Sequence, residues 1–262
     1  MLEVEVRPYR VFIGKRFSVS FQRAHRIPQS QQVHTPPTSL GALPVHRVAD
    51  YGDRFPQGGK GRGGVFIPVS PQEALWLGFS GADWKPNAVK VGVAGIDAVS
   101  GKAWDARLHV DPQDYLVCPP QLALDGIHVG EGSVRQFVAT PAEQASTVES
   151  EVAEHLLVMY LIVYAPKPGR FPEETPPNPS SGPDVVHLPA NPHFTDSMGL
   201  GLGGTIAQQI LPDPYGIDTW DPGNYGNLVV LLVDAEEYRE VTGLEPPPPL
   251  DKVQAYTKYR LP

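Results

Sequence analysis

The chain has 262 residues, of which 41% are apolar and 19% are charged, a balance that argues against intrinsic disorder. A formal net charge of −8, with no basic stripe along the sequence, argues against a nucleic-acid partner. Thirty prolines and 26 glycines are too many for a helix-rich protein and favour short strands joined by turns.

Alternating polar and apolar residues predict β-strands through the first 165 residues. An irregular, proline-rich stretch over residues 26–64 is expected to wrap the sheets. Residues 147–164 allow two interpretations, two strands or a buried helix, and their β-branched and aromatic residues favour strands. The predicted strands are 2–7, 17–21, 65–69, 74–79, 89–93, 115–118, 134–139 and 156–164.

The rest of the chain is predicted to form a strap and a C-terminal extension. Residues 166–192 contain nine prolines and are expected to be an extended, proline-rich strap. Residues 193–262 contain one clear strand, 228–233, and a short helix, 235–242. That is too little for a separate core, so we expect this extension to pack on a main β domain of residues 1–165.

These patterns predict an all-β fold, or a mainly β fold with one or two short helices. The expected architecture is an antiparallel two-sheet sandwich with long proline-rich straps. No signal peptide is visible, and the longest apolar run is far shorter than the ~20 residues that span a bilayer. The expectation is therefore a soluble cytoplasmic protein with no membrane partner. The single cysteine, Cys118, is predicted to be a buried, inert thiol.

Two motifs suggest enzyme chemistry without the surroundings that such chemistry needs. Residues 199–204 match the G-x-G-x-x-G dinucleotide pattern, but no strand is predicted before them and Pro212 stops a following helix. A tight loop is the favoured interpretation. Ser80 half-resembles a nucleophile elbow, yet Pro86 prevents the helix that must follow it. We therefore expect no cofactor.

Side chains beside predicted loops are candidate ligand contacts. Trp84 and Trp104 lie next to Asp83 and Asp105, and aromatic rings near carboxylates can stack on a sugar, although covering a sandwich end is the alternative. The eight histidines show no metal-ligand spacing and are expected to be surface or capping residues. Six aspartates on or near turns are candidates for paired catalytic carboxylates: Asp83, Asp97, Asp105, Asp111, Asp114 and Asp125.

One acidic loop near the C-terminus is a candidate calcium site. Asp213, Asp218, Asp221 and Asn224 supply the oxygen ligands that calcium prefers. Asp and Asn also start turns by accepting hydrogen bonds from nearby backbone N–H groups. The surrounding prolines and glycines fix a tight path, so turns are the favoured interpretation.

Several short stretches point together to one family. They are KVGV at 90–93, PQDY at 112–115, LDGI at 124–127 and RQFVA at 135–139. With these stretches the chain resembles, over nearly its whole length, a family of uncharacterised bacterial and fungal proteins. The resemblance implies a single evolutionary unit and an aromatic-rich tail after Leu261-Pro262, and it supplies no catalytic residue.

Two functions of different classes remain open. The first is a non-enzymatic structural, self-assembling or partner-binding β protein, which predicts self-association or a protein partner. The alternative is an enzyme that acts on a carbohydrate or another small polar ligand through paired carboxylates.

Overall fold

Two β-sheets make up most of the chain. The structure is a computed structural model that describes residues 1–55, 64–130, 132–141, 158–174 and 198–250. One α-helix, α1 (Ala235–Thr242), lies within these ranges, together with three short 3-10 helices, Val48–Asp50, Gly52–Arg54 and Ile217–Thr219. The strands, in chain order, are β1 (Val4–Arg7), β2 (Arg10–Ile13), β3 (Phe17–Ala24), β4 (Val33–His34), β5 (His46–Arg47), β6 (Val65–Pro68), β7 (Ala74–Ser80), β8 (Asn87–Val93), β9 (Ile96–Asp97), β10 (Leu116–Cys118), β11 (Ala123–Leu124), β12 (Gly126–Gly130), β13 (Ser133–Pro141), β14 (Val158–Pro166), β15 (Met198–Ala207) and β16 (Trp220–Val233).

The sheets pack face to face as a sandwich. The first sheet has nine strands in the order β1-β2-β3-β7-β13-β15-β4, with β11 on β7 and β12 on β13. The second sheet has seven strands in the order β10-β8-β14-β16-β6-β5, with β9 on β8. The predicted all-β, two-sheet sandwich is confirmed. Each sheet also contains one parallel pair, β4 with β15 and β6 with β16, beside the expected antiparallel pairs.

The core lies between the two sheets, where alternate residues of each strand point inward. From β3 it takes Phe17, Val19 and Phe21, and from β8 it takes Val89 and Val91. Full burial of one such side chain contributes about 1.5–3 kcal/mol. Successive side chains of a strand point to opposite faces of its sheet. The alternation of apolar residues in the sequence therefore identifies the face of each strand that packs in the core.

The outer face of the second sheet is also covered. Helix α1 packs there with Tyr238 and Val241 against Phe66 of β6. The helix begins where Asp234 accepts hydrogen bonds from the N–H groups of Glu236 and Glu237, and it ends at Gly243, whose φ is 73°. The helix prediction is confirmed at both ends.

The C-terminal part of the described chain contributes to both sheets. Strand β15 joins the first sheet and β16 joins the second, so the predicted strand 228–233 is the end of a longer strand. Most of the predicted strap, residues 175–192, and residues 147–157 of the helix-or-strand segment lie outside the described residues. The division into main domain, strap and extension stays a prediction.

The glycine-rich motif lies inside a strand, so the predicted tight loop at residues 199–204 is wrong. The motif belongs to β15, which pairs with β13 along most of its length. Glycine is required at position 204 because another segment of the same chain passes close to β15 there. A Cβ on Gly204 would lie 2.4 Å from the carbonyl oxygen of Pro28. The glycines of the motif therefore allow neighbouring backbone segments to pack closely against β15.

We expect Gly204→Ala to lower the free energy of unfolding by about 1–3 kcal/mol, because the new methyl group must displace backbone. The matched control is Gly223→Ala, whose Cβ would meet only a side-chain oxygen of Asp221, at 3.3 Å. Urea unfolding of both variants checks the prediction. Equal effects in the two variants would contradict this explanation of β15.

No helix among the described ranges has the length and apolar character needed to cross a membrane.

Candidate functional site: a cleft at the edge of the sandwich

One cavity is an open cleft where the end strands of the two sheets meet. We call it the edge cleft; its volume is about 960 Å³. Strand β1 ends the first sheet and β5 ends the second, and residues of both edge strands line the cleft. The residues that precede β5, helix α1 and the segment that follows α1 complete the lining. The residues that line it are Val6, Arg7, Pro8, Tyr9, Arg23, Leu40, Gly41, Ala42, Pro44, Val45, His46, Arg47, Asp50, Tyr238, Leu244, Glu245, Pro246, Pro247 and Pro248.

A hydrogen-bonded chain of three rings supports one wall of the edge cleft. His46 has Nδ1 2.8 Å from the hydroxyl of Tyr51 and Nε2 2.8 Å from the hydroxyl of Tyr238. Its ring also stacks on Phe66, its cross-strand neighbour, at 5.2 Å between centroids. Both ring nitrogens are engaged, so the imidazole has a fixed position.

Burial keeps these groups neutral. It lowers the pKa of His46, against a smaller opposing effect of the nearby carboxylate of Asp50. It also raises the pKa of Tyr238 to about 12. A neutral imidazole donates through one nitrogen and accepts through the other, so one tyrosine hydroxyl donates to His46 and the other accepts from it.

The edge of β1 leaves backbone groups open beside the cleft. The N–H of Gly14 donates to the carbonyl of Glu3 at 2.7 Å, which makes Glu3 a hydrogen-bonded position of the β1–β2 pair. In an antiparallel pair such positions alternate, so Val4 and Val6 direct their backbone groups away from β2. Arg47 donates to the carbonyl of Val4 at 3.1 Å. The N–H of Val6 therefore faces the open edge of the sheet.

The opposite wall is a proline run that follows α1. Each of residues 245–248 precedes a proline, which restricts it to extended or polyproline II geometry. Pro246 and Pro248 are buried, whereas Pro249 is exposed. Residues 249–250 continue into the lining of a second cleft, of about 350 Å³. We call residues 244–250 the proline wall.

A buried ion pair fastens the proline wall to the first sheet. The guanidinium of Arg23 bonds both carboxylate oxygens of Glu73 and also donates to the carbonyl of Pro248. Burial raises the pKa of Glu73, and the charge of Arg23 opposes that rise. Arg23 lines the edge cleft and Glu73 lines the second cleft, so this pair lies between the two cavities.

Most charged groups around the edge cleft already have partners. Arg7 pairs with Glu5 at 2.9 Å, and Glu245 pairs with Arg239 at 2.8 Å. The guanidinium of Arg47 donates to the backbone carbonyl of Val4. The cleft lining thus holds three arginines, Arg7, Arg23 and Arg47, and two carboxylates, without a large excess of one charge.

The two tryptophans predicted to contact a ligand, Trp84 and Trp104, lie outside the lining of the edge cleft. Half-buried Trp84 faces the guanidinium of Arg16 at 6.0 Å. Trp104 stacks on Tyr160 at 6.2 Å and covers Gly92, where a Cβ would meet its ring at 2.5 Å. Trp104 therefore packs on the outer face of the second sheet.

Two of the predicted carboxylates, Asp97 and Asp114, contact one buried lysine, and a third, Asp105, lies near the same cluster. The ammonium of Lys90, which is fully buried, lies 2.5 Å from Asp114 and 3.2 Å from Asp97. The Asp97 contact is an ion pair whose angle is too poor for a hydrogen bond. Asp114 also binds Nδ1 of His109 at 2.6 Å, and Asp105 lies 3.7 Å from Nε2 of His109.

The remaining predicted carboxylates are dispersed. Asp105 is held by Arg107 at 2.8 Å, and hydrogen bonds from Arg107 lower the pKa of its carboxyl. Asp83 and Asp111 are exposed. Asp125 is buried and accepts a hydrogen bond from Gln208. These groups are bound in ion pairs or hydrogen bonds, or exposed, away from the lining of the edge cleft.

The acidic loop uses its carboxylates within the protein. Asp213 accepts hydrogen bonds from the Tyr115 hydroxyl at 2.7 Å, the Trp220 indole at 2.8 Å and the N–H of Tyr215 at 2.8 Å. Asp221 accepts from the N–H of Gly223 at 2.8 Å. Asp218 is exposed, and Asn224 lies in β16. Within the described ranges, no three His, Cys, Asp or Glu side chains are grouped as metal ligands.

The buried carboxyl of Asp125 gives the protein a predictable pH dependence. Burial raises its pKa to about 6, above an unfolded value near 4. The folded state therefore favours the protonated form, and this stabilisation is lost as pH rises through about 6. Asp125→Asn removes the titration and keeps an oxygen acceptor for Gln208.

We expect Asp125→Asn to be more stable than wild type above about pH 7, by roughly 2–3 kcal/mol, and nearly equal to it near about pH 4. Urea unfolding across this range checks the prediction, with the exposed Asp83→Asn as control. A difference that does not change with pH would contradict the assignment.

Sequence reasoning did not find the edge cleft. Its residues come from four separate segments, and each histidine or tyrosine in them is isolated in the sequence. The single available signal was the run of four prolines directly after a well-defined helix. Ser80 is the exposed last residue of β7. Cys118 is buried, and burial raises the pKa of its thiol to about 12, in agreement with the predicted buried, inert thiol.

Comparisons of the chain with protein-family models, with curated proteins and with solved structures found no match. The resemblance to uncharacterised bacterial and fungal proteins therefore stays a prediction. The fold and the cavity define a two-sheet β-sandwich with an open cleft at its edge.

Proposed function

We propose that this is a non-enzymatic, partner-binding β protein that holds an extended polypeptide segment in the edge cleft. The observation that carries the proposal is the construction of the cleft from continuous walls. Residues 6–9 form one side and residues 244–248 form another, around about 960 Å³. A groove lined by the end of an edge strand and by an extended proline run suits a chain that lies along it.

Chemical groups in the cleft support a polypeptide ligand. An extended peptide binds beside a sheet edge through its main chain, and side-chain pockets add specificity. The N–H of Val6 faces this edge, and Tyr9 is 46% exposed beside it. The cleft thereby combines backbone hydrogen bonding with an accessible aromatic surface.

Features of β1 favour binding a separate partner over sheet-to-sheet self-assembly. The strand has four residues, alternates valines with Glu5 and Arg7, and is followed by Pro8. Short length, charge and proline are the means by which proteins prevent edge strands from pairing with one another. A docked segment requires fewer backbone contacts than a continuous intermolecular sheet.

The carbohydrate-enzyme alternative has less support from the same geometry. Asp97 and Asp114 are bound to Lys90, and Asp125 is bound to Gln208. The edge cleft contains two carboxylates, Asp50 and Glu245, and the second is paired with Arg239.

A peptide-display selection on the purified protein tests the proposal. We expect wild type to enrich a set of related peptides, and Ala42→Trp to lose them because its ring fills the edge cleft. Ala42 is half-buried in the cleft lining, whereas Ala103 is exposed elsewhere. The matched control Ala103→Trp should therefore retain binding.

Peptides that bind Ala42→Trp and wild type equally would overturn the proposal, as would a selection that enriches no sequence. Circular dichroism of each variant verifies that it is folded.

A further inference from the structure

We propose that the side chains of Lys90 and Asp114 condense into an intramolecular amide bond, which the protein forms by itself with Asp97 as the catalytic base. Lys90 lies in β8, and Asp114 lies just before β10, which pairs with β8. The bond therefore links two neighbouring segments of the second sheet. This inference does not depend on the edge cleft.

The two reacting groups are in contact and closed off from solvent. Nζ of Lys90 lies 2.5 Å from Oδ2 of Asp114. Lys90 is fully buried, and Asp97 and Asp114 are 1% and 6% exposed. Holding an amine against a carboxyl group makes their reaction unimolecular. Burial also opposes hydrolysis of the product, because it keeps solvent water away.

Aromatic side chains surround the lysine. The ring of Trp104 lies 5.4 Å from Nζ, and Trp104 packs against a cluster that contains buried Tyr115 and Tyr164. Apolar surroundings favour neutral groups over charged ones. Transfer of one proton from the ammonium of Lys90 to the carboxylate of Asp114 gives the neutral amine and carboxylic acid that condensation needs.

The neighbours of Nζ orient the amine for attack. Nζ lies 2.9 Å from the carbonyl oxygen of Arg107 and 3.2 Å from Oδ2 of Asp97. A neutral amine has two N–H groups and one lone pair. With its two N–H groups on these two oxygens, the amine directs its lone pair at Asp114.

Asp97 has an unused oxygen at the reacting nitrogen. Its Oδ1 accepts from the N–H groups of Val99 and Ser100 at 3.0 Å and 2.8 Å. Its Oδ2 is buried and has no hydrogen-bond partner among the described residues. Burial raises the pKa of Asp97, against the opposing charge of Lys90, and a raised pKa suits a carboxylate that must accept a proton.

His109 holds both oxygens of Asp114. Its backbone N–H donates to Oδ1 at 2.8 Å, and its ring Nδ1 lies 2.6 Å from Oδ2. Negative charge develops on Oδ1 when nitrogen adds to the carboxyl carbon. The N–H of His109 stabilises that charge, as the donors of an oxyanion hole do.

The reaction is a balanced loss of water. The bond between Nζ of Lys90 and Cγ of Asp114 forms, and the bond between Cγ and Oδ2 breaks. Oδ2 receives the proton first transferred from the ammonium, and Asp97 carries a second proton from Nζ to it. One water molecule leaves, Asp97 is regenerated, and no oxidant or other reactant is consumed.

Intact-mass spectrometry of the purified, denatured wild-type protein tests the proposal. We expect a mass below the sequence mass by one water molecule. Lys102 and Arg107 lie between the two linked residues, so trypsin separates the peptides of Lys90 and Asp114 unless an amide bond joins them. We expect to find these two peptides joined.

Three variants assign the roles. Lys90→Met lacks the nucleophile and should have its full sequence mass, whereas Lys102→Met, which replaces an exposed lysine of the same loop, should remain linked. Asp97→Asn keeps the acceptor for Val99 and Ser100 and lacks the base, so we expect the linked fraction to fall by about tenfold or more. Circular dichroism verifies that each variant is folded.

A wild-type protein at its full sequence mass would overturn the proposal. Asp125-Gly126 can also lose water, as a cyclic imide, so a water loss mapped to that dipeptide without joined peptides would contradict it as well. A folded Asp97→Asn that is linked as completely as wild type would refute the role of Asp97 as the base.

Discussion

Replacing Lys90 by methionine is expected to lower the free energy of unfolding by about 3–5 kcal/mol. The ammonium lies 2.5 Å from Asp114 and 3.2 Å from Asp97, and it donates to the carbonyl of Arg107 at 2.9 Å. All of these groups lie under the loop that covers the outer face of the second sheet. Methionine keeps the volume and leaves two carboxylates without their counter-ion in a low dielectric.

The control is Arg107→Met, which breaks a solvent-exposed pair with Asp105 and is expected to change the free energy of unfolding far less. A second variant adds Asp114→Asn to Lys90→Met, and we expect it to recover part of the loss. The deficit of Lys90→Met should also shrink as pH falls, because the unpaired carboxylates then bind protons. Urea unfolding that shows equal effects of Lys90→Met and Arg107→Met would contradict the structural role of this cluster.

Replacing Asp213 by alanine should produce the second large effect, a loss of about 2–4 kcal/mol. Its carboxylate accepts from Tyr115 and Trp220, both of which are buried. Alanine leaves the hydroxyl and the indole N–H without acceptors, and each buried orphan group costs about 1–3 kcal/mol. The interaction also links residues 211–220 to the chain before β10.

Asp218→Ala is the matched control from the same loop, because the Asp218 side chain is exposed. Thermal melts with millimolar calcium and with chelator separate the two interpretations of this loop. We expect no calcium-dependent shift, since Asp213 and Asp221 form internal hydrogen bonds. A calcium-dependent rise in Tm that disappears in Asp218→Ala would instead support a calcium site.

The extent to which sequence predicts this structure depends on whether a segment carries its own signal. Helix α1 was predicted over residues 235–242 and has those bounds, and the structure shows that Asp234 caps its start and that Gly243 follows its end. The core strands were predicted because their apolar residues alternate. These signals are local, and the tertiary structure agrees with them.

Strands without such signals were missed. Strand β15 contains glycines at 199, 201, 203 and 204, so it has little side-chain pattern from which a strand could be inferred. The first half of β16 contains Pro222 and Gly223, which indicate a loop. It is a strand because β14 lies beside it, with Tyr164 opposite Tyr225. Pairing between distant segments outweighs local preference in both cases.

The edge cleft could not be predicted for the same reason. His46, Tyr51 and Tyr238 meet because β5 pairs with β6 and α1 packs over Phe66, and neither contact has a local sequence signal. The candidate aspartates could be identified from the sequence by their residue type. Their partners, such as Lys90 for Asp114, depend on the folding of a loop over a sheet.

Hydrogen exchange of the wild-type protein with the tightest display-selected peptide tests the central claim most directly. We predict slower amide exchange in the segments that line the edge cleft, residues 4–10, 40–47 and 236–248, with little change around Lys90 or Asp213. Protection confined to those other regions, or no protection anywhere at saturating peptide, would contradict the account.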